Sequence, residues 1–351
     1  LAVQCIDMYN LTPKGVRFFL VASRTEQEVG LWDSVRKVLP QENILCYEEG
    51  GYEEVRAFLM RLLNEYAHVT CHVQGASLLW RYRDIWSRKD ASCVVTIHYF
   101  RNDKFWLRPI VSFLFALLIL RFADKAIFLA PFPVRQFCGA NLIKRFGKFC
   151  YMPFALPIST TVPDRDEMLD PDDFNVVYLA YFRRDKNHEK FLPELIEFVR
   201  LHKNAKVYFF GDGPRLDSVK KKVVRAGVEQ QILPPGRIAH SKMQGLLAKS
   251  SVALALSGSE NVGHNAVEPM LMGVPVVGTR VGSAEYIIDD GVTGFGVDAR
   301  GDLFSALQRM YEMPREDLRE MGENAKKCAM GQFNYKGMLK GYFGLYESVS
   351  K

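Results

Sequence analysis

Residues 257–296 read SGSENVGHNAVEPMLMGVPVVGTRVGSAEYIIDDGVTGFG. Two carboxylates, Glu260 and Glu268, stand eight positions apart in it. Between them the small turn Asn261, Val262, Gly263 opens a short helix, expected over Val262–Met272. An apolar strand over Pro275–Gly278 follows, then a second glycine turn at Gly282. The start of a helix presents backbone N–H groups that no carbonyl of the same helix accepts, which makes it an anion site. Glu260 just before that start and Glu268, about two turns in, are placed to grip hydroxyl groups on both sides of a bound phosphate. A phosphate flanked by two polyols is the outline of a nucleotide sugar.

Outward from this stretch, apolar runs alternate with amphipathic ones. In the second half, strands are expected at Asn175–Ala180, Lys206–Phe210, Gln231–Leu233, Val252–Leu256 and Pro275–Gly278. Helical patterns fill Glu189–His202, Arg215–Ala226 and Ser241–Lys249 between them. In the first half the strand candidates are Arg17–Ala22, Asn43–Tyr47, His68–Val73, Cys93–His98 and Ala126–Leu129. Helices are expected over Glu53–Tyr66 and Phe105–Phe122. Strands alternating with helices argue two open parallel α/β sheets with right-handed crossovers. Residues 153–172, PFALPISTTVPDRDEMLDPD, hold four prolines and a cluster of acids and read as a linker. The expected division is a first domain over 1–158, a linker over 159–172, a second domain over 173–330, and terminal helices. The last of these, 331–351, is a candidate to cross back to the first domain.

A length of 351 residues accommodates two ordinary domains. With 48% hydrophobic and 25% charged residues, the composition is that of a globular protein rather than a disordered or fibrous one. The seven cysteines form no CxxC pair or zinc spacing and read as reduced, buried thiols of a cytoplasmic protein. The chain opens at Leu1 with no signal peptide ahead of it, so an incomplete N-terminus is expected. The net charge of +6 is uneven: residues 79–148 carry 13 basic against 4 acidic side chains. There Trp80, Arg81, Tyr82, Arg83, Trp86, Arg88 and Lys89 interleave charge with aromatic surface. Such a face suits an anionic membrane surface or an acidic acceptor, or is simply solvated. No nucleic-acid motif accompanies it. The apolar run Ile110–Leu120 is too short to span a bilayer and reads as a buried helix, with an interfacial segment as the alternative.

Ligands of open α/β sheets sit at the carboxyl ends of the strands. His98 ends the strand VVTIH, Lys186 follows the strand ending at Ala180, Gly211, Asp212 and Gly213 follow KVYFF, and Glu260 follows VALAL. From Asn175 to Gly296 four blocks run in order: YLAYFRRDKNHEKFLPELIEF, VYFFGDGPRLDSVKKKV, ILPPGRIAHSKMQGLLAKSSVALALS, and the Glu-x7-Glu block. In that order they resemble the nucleotide-sugar domain of the family 4 retaining glycosyltransferases of GT-B fold. The first half resembles them loosely, at TIHYF (96–100) and RFADKAIFLAPFP (121–133).

The resemblance implies two Rossmann-like parallel-sheet domains facing a central cleft, with C-terminal helices. It implies transfer of a sugar from a nucleotide-diphosphate sugar to a glycan or lipid-linked acceptor, with retention at the anomeric carbon and without a metal or other cofactor. By position, Glu268 resembles the family Glu that accepts the ribose hydroxyls and Glu260 the Glu facing the donor sugar. Lys186 resembles the Lys that neutralises the pyrophosphate, and His98 a His near the transferred sugar. Gly263, His264 and Asn265 would offer backbone donors at the helix start. Gly211 and Gly213 would let the backbone approach the nucleotide, and Arg237 and Ile238 would border the base. One departure stands out: Tyr181 occupies the place of an expected phosphate-binding Arg, so Arg183 or Arg184 would take that task. A catalytically weak sugar-nucleotide-binding homologue and a GT-B epimerase therefore stay open as alternatives. The family's glycine-rich loop after the first strand has no clear counterpart. Asp164-Arg165-Asp166 has the spacing of a metal–nucleotide site, but lies in the linker rather than after a strand. His188, His202 and His240 read as surface residues. The expected setting is the cytoplasm, peripheral to the inner face of a membrane.

Overall fold

In the second half six strands form one sheet: β7 (Phe174–Leu179), β8 (Ala205–Phe210), β9 (Ile232–Gly236), β10 (Val252–Ala255), β11 (Val276–Thr279) and β12 (Gly294–Val297). Their spatial order is β12-β11-β10-β7-β8-β9, and every pairing is parallel. The chain starts at the centre, winds outward through β8 and β9, then returns to the other side of β7. The order therefore reverses between β7 and β10. Strands buried on both faces account for the near-continuous Val, Ala, Leu and Phe runs. This computed structural model describes residues 7–23, 35–47, 51–97, 108–129, 137–152, 155, 168–238, 240–260, 262–298 and 301–350.

In the first half, β1 (Leu20–Ser23) pairs in parallel with β2 (Ile44–Tyr47). A separate parallel sheet runs β3 (Val69–Gln74), β4 (Ala91–Ile97), β5 (Lys125–Phe128) and β6 (Phe149–Tyr151). Two strands, β6 and β12, lie outside the sequence-based expectation. The rest fall within a few residues of it. The helices are α1 (Tyr52–Glu65), α2 (Ser77–Arg81), α3 (Arg83–Trp86), α4 (Arg108–Phe122), α5 (Ala140–Arg145), α6 (His188–Leu201), α7 (Leu216–Ala226) and α8 (His240–Ala248). They continue with α9 (His264–Leu271), α10 (Ala284–Ile287), α11 (Leu303–Glu312), α12 (Arg315–Gln332) and α13 (Tyr335–Val349). In α6 the buried Phe191, Leu192, Leu195, Phe198 and Val199 recur at one-face spacing and press that helix onto the sheet.

The chain divides into two compact units. The first takes in Leu1–Leu129, Val134–Pro157 and Tyr335–Lys351; the second carries Ile158–Asn334. Helix α13 thus belongs with the first unit. It is fastened there by Ser92 Oγ donating to Val349 O at 2.6 Å, by the Thr70–Ser350 hydroxyl pair at 2.9 Å and by His72 Nδ1 against Tyr346 OH at 2.7 Å. The proline-rich residues 156–167, with Asp164-Arg165-Asp166, lie outside the described residues.

Two readings change. Helix α4 is buried on one face only, with Ile110, Phe113, Leu114 and Leu117 exposed. The thiols are free among the described residues, but only Cys93 is fully buried, and Cys138 is exposed. The fold class stands: α/β, with Rossmann-like parallel sheets of GT-B kind and helices at the C-terminus.

Candidate functional site

The reversal between β7 and β10 is where ligands of doubly wound sheets bind, beyond the carboxyl ends of the strands. The loops leaving these two strands are laced together. After β7 a 3-10 turn, Arg184–Lys186, ends at Asn187, whose backbone is left-handed with φ of 57°. Asn187 Nδ2 donates to Leu256 O at 2.8 Å, and Gly258 N donates to Asp185 O at 2.7 Å. From beneath, the buried Tyr178 hydroxyl donates to Lys186 O at 2.7 Å. These bonds fix the Lys186 backbone against the loop after β10.

On that frame four predicted residues come together. Lys186 Nζ pairs with Glu260 Oε1 and approaches Ser257 Oγ at 3.3 Å. Ser257 Oγ donates to Glu260 Oε1 at 2.6 Å, and Asn265 Nδ2 reaches Ser257 Oγ at 3.5 Å. Gly263 stands at φ of 72° at the head of α9, where an added Cβ would lie 3.5 Å from Ser283 Oγ and 3.7 Å from Glu260 Cβ. A left-handed turn there suits glycine. The first bond inside the helix is Ala266 N to Gly263 O at 2.9 Å, so the backbone groups ahead of it head the helix dipole.

Glu268 sits one turn into α9, nearer its start than the spacing suggested, because the helix begins at His264. Burial pushes its carboxyl up to about 7, since removal from water disfavours the charged form. Among the described residues no hydrogen-bond donor meets it. A half-buried carboxylate in that state is stabilised by any ligand that brings hydroxyl donors.

The other predicted residues fall as follows. Arg183 is held in a two-pronged pair with Asp185 at 2.5 and 2.7 Å, close enough to Glu260 for that charge to favour its guanidinium. Arg184 and His264 are exposed, as is Tyr181 at 54%. Gly211 and Gly213 have a packing reason. An added Cβ at Gly211 would lie 2.1 Å from Ala180 O, and one at Gly213 would lie 2.8 Å from Phe182 N and O. Their turn is pressed against the loop that carries Arg183 and Lys186, with Phe182 N donating to Asp212 O at 2.7 Å. Arg237 and Ile238 follow the edge strand β9, and the hydrogen-bonded cluster does not include them. His98 and Asn261 lie outside the described residues.

His188 is not a surface residue: it is 2% exposed, with its ring stacked 4.1 Å from Phe182 and the Tyr178 ring tilted against it at 4.6 Å. Burial holds its pKa down to about 4, so the ring is neutral near pH 7. His202 is also tied down, meeting Gln308 at 2.6 Å. Sequence reasoning gave no role to Tyr178, Ser257 or Asn187. Ser257 carries no signal beyond its place at the end of a buried strand. Asn187 directly after a Lys in a turn is a readable left-handed candidate. Among the described residues no three His, Cys, Asp or Glu side chains gather as a metal site would require.

Comparison with known proteins bears on what this arrangement is for. Residues 163–328 match the family model of the glycosyl transferases, group 1. N-acetyl-alpha-D-glucosaminyl L-malate synthase of Bacillus anthracis is 29% identical over 175 residues, covering 50% of this chain and 45% of that protein. Alpha-D-kanosaminyltransferase of Streptomyces kanamyceticus is 23% identical over 177 residues, again 50% and 45%. The chain thus spans about half the length of the curated relatives it matches. Among solved structures, Anabaena Alr3699/HepE in complex with UDP and glucose superposes with a TM-score of 0.76 at 15% identity, covering 99% of this chain and 95% of that one. Sucrose-phosphate synthase from Thermosynechococcus elongatus superposes with a TM-score of 0.67 at 16% identity, covering 87% and 80%. The structural likenesses show the fold. The family match, over just under half of the chain, and the sequence relatives make that part of the chain similar to glycosyltransferases.

Proposed function

We propose that this protein transfers a glycosyl group from a nucleoside-diphosphate sugar to a glycan or lipid-linked saccharide, with retention at the anomeric carbon. The observation that carries the reading is the joining of Lys186, Ser257, Glu260 and the head of α9 where the sheet order reverses. It is supported by the match over residues 163–328. The diphosphate lies at the helix start, with Lys186 as its point charge. Glu268 takes the ribose hydroxyls, and Glu260 takes hydroxyls of the sugar. No metal or other cofactor enters this scheme.

In the chemical step the bond from the anomeric carbon to the phosphate oxygen breaks. The acceptor oxygen bonds to the same face, and its proton passes to the departing phosphate oxygen. Negative charge grows on the diphosphate, and preorganised donors and a cation stabilise it without reorganisation. In the unliganded state Glu260 occupies Lys186, so diphosphate binding exchanges one anion for another on that ammonium group. The basic 79–148 window suits an acceptor held at an anionic membrane surface. UDP and UDP-glucose are the first probes, since solved neighbours were crystallised with them.

Glu268 gives the reading a pH signature. Only its ionised form accepts two ribose hydroxyls, and its carboxyl titrates at about 7 in the unliganded chain. UDP affinity is therefore expected to rise from pH 6 to pH 8, and Glu268→Gln is expected to bind weakly and without that rise. The raised value also means that ionisation costs stability as pH climbs through 7. Ligand-free Glu268→Gln is thus expected to melt higher than wild type at pH 8. Calorimetric titration and thermal melts check both. A variant that bound UDP as wild type does would remove Glu268 from the ribose site.

A further inference from the structure

Helix α4, RPIVSFLFALLILRF, is apolar around its whole circumference. Its inner side, with Ala116 and Ile119 fully buried, joins the core of the first unit. Its outer side is bare: Ile110 is 58% exposed, Phe113 51%, Leu114 54% and Leu117 43%. The spacing i, i+3, i+4, i+7 makes these one continuous stripe rather than scattered surface residues. Helices α2 and α5 pack against α4 and bring exposed aromatic surface of their own. Trp80 in α2 is 57% exposed, and Phe146, just past α5, is 63% exposed. The three helices contain no Asp or Glu, but carry Arg81, Arg108, Arg121, Lys144 and Arg145.

We propose that this face docks the protein on an anionic lipid bilayer, with α4 lying in the plane of the headgroups. Charge and shape both favour lipid as the occupant. A stripe of Ile, Phe and Leu sinks into the acyl boundary. Trp80 sits at headgroup level, and arginines and lysines at the margin reach anionic phosphates. Fifteen residues give α4 a length of about 22 Å, short of the roughly 30 Å hydrocarbon core, so the helix lies on the membrane and does not cross it. Among the described residues no helix is long and apolar enough to cross. The inference deepens the membrane-side acceptor reading and rests on it, but it involves no residue of the donor cluster.

Co-sedimentation with vesicles tests it. The whole chain is expected to bind vesicles of phosphatidylcholine mixed with phosphatidylglycerol, and to bind phosphatidylcholine alone at least about tenfold more weakly. The double variant Phe113→Asp, Leu117→Asp changes exposed positions only. It is expected to lose vesicle binding by at least about tenfold while its melting temperature and UDP binding stay as in wild type. Arg121→Glu with Lys144→Glu and Arg145→Glu is expected to abolish the preference for anionic lipid. The proposal is overturned if wild type stays in the supernatant with both vesicle types, or if the Asp variant binds as wild type does. A wild type that ignores vesicles but forms a dimer dissolved by Phe113→Asp would overturn it too, assigning the stripe to a second copy of this chain. UDP binding on the same samples separates failure of this surface from failure of the donor site.

Discussion

Lys186→Ala is expected to slow turnover of the sugar nucleotide the chain accepts, read as released nucleoside diphosphate, about 10²–10³-fold, with a far smaller change in KM. In the proposed scheme the ammonium group meets the diphosphate both before and during bond breaking. It matters most when the leaving group gathers charge, so the loss falls on kcat. The pair with Glu260 complicates the test, because both side chains are more than four-fifths buried. Removing one member of such a pair leaves the other charge without its partner and costs stability. A thermal melt must therefore accompany the kinetics. The double variant Lys186→Met, Glu260→Gln keeps the volume and removes both charges. It is expected to melt close to wild type while remaining inactive. Wild-type kcat in a folded Lys186→Ala variant would remove the lysine from the chemistry.

Gly211→Val is expected to destabilise the second unit by about 3 kcal/mol or more, lowering its melting temperature by roughly 6–12 °C. Two effects add. Gly211 has φ of 143°, a region closed to β-branched residues. Its Cβ would also lie 2.1 Å from Ala180 O and 2.9 Å from Ala180 C, and backbone cannot rotate away as a side chain end would. Ala180 leads into the loop that positions Lys186, so any folded fraction should also bind UDP less well. Gly227→Ala is the control. That glycine ends α7 at φ of 66° with nothing within 4 Å of an added Cβ, and its replacement is expected to cost only about 1 kcal/mol. Equal melting shifts for the two variants would contradict the account of Gly211.

The second unit was legible because its strands are buried on both faces and its turns are marked by glycine. β8, β10 and β11 are runs of Val, Ala, Leu, Tyr and Phe that end at GDG, SGS or GTR, while β7, FNVVYL, runs without a glycine into the loop that carries Lys186. β12, GFGV, was missed because two of its four residues are glycines, one of them with the Val276 backbone in the space a Cβ would fill. β6, FCY, is too short to show alternation. Glu268 was legible as a residue but not in its depth: the helix starts two residues later than Val262, and this leaves the carboxyl one turn in rather than about two. His188 misled because a polar residue at a helix start ordinarily faces water. Here Phe182 and Tyr178 cover it, and no pattern in the chain announces that stacking. The outer stripe of α4 was hidden for the opposite reason. A helix apolar on all sides reads as buried, and only the fold shows which side has no partner.

The central claim is that the head of α9 and Glu268 hold a nucleoside diphosphate. Its most direct test is calorimetric titration of the wild-type chain and Glu268→Ala with UDP, GDP, ADP and dTDP, in the presence of a chelator. The account predicts that one nucleotide binds the wild type selectively and that the Ala variant binds it at least about tenfold more weakly. If the wild type binds none of the four, or if Glu268→Ala binds as tightly as wild type, the donor site is not where this account places it.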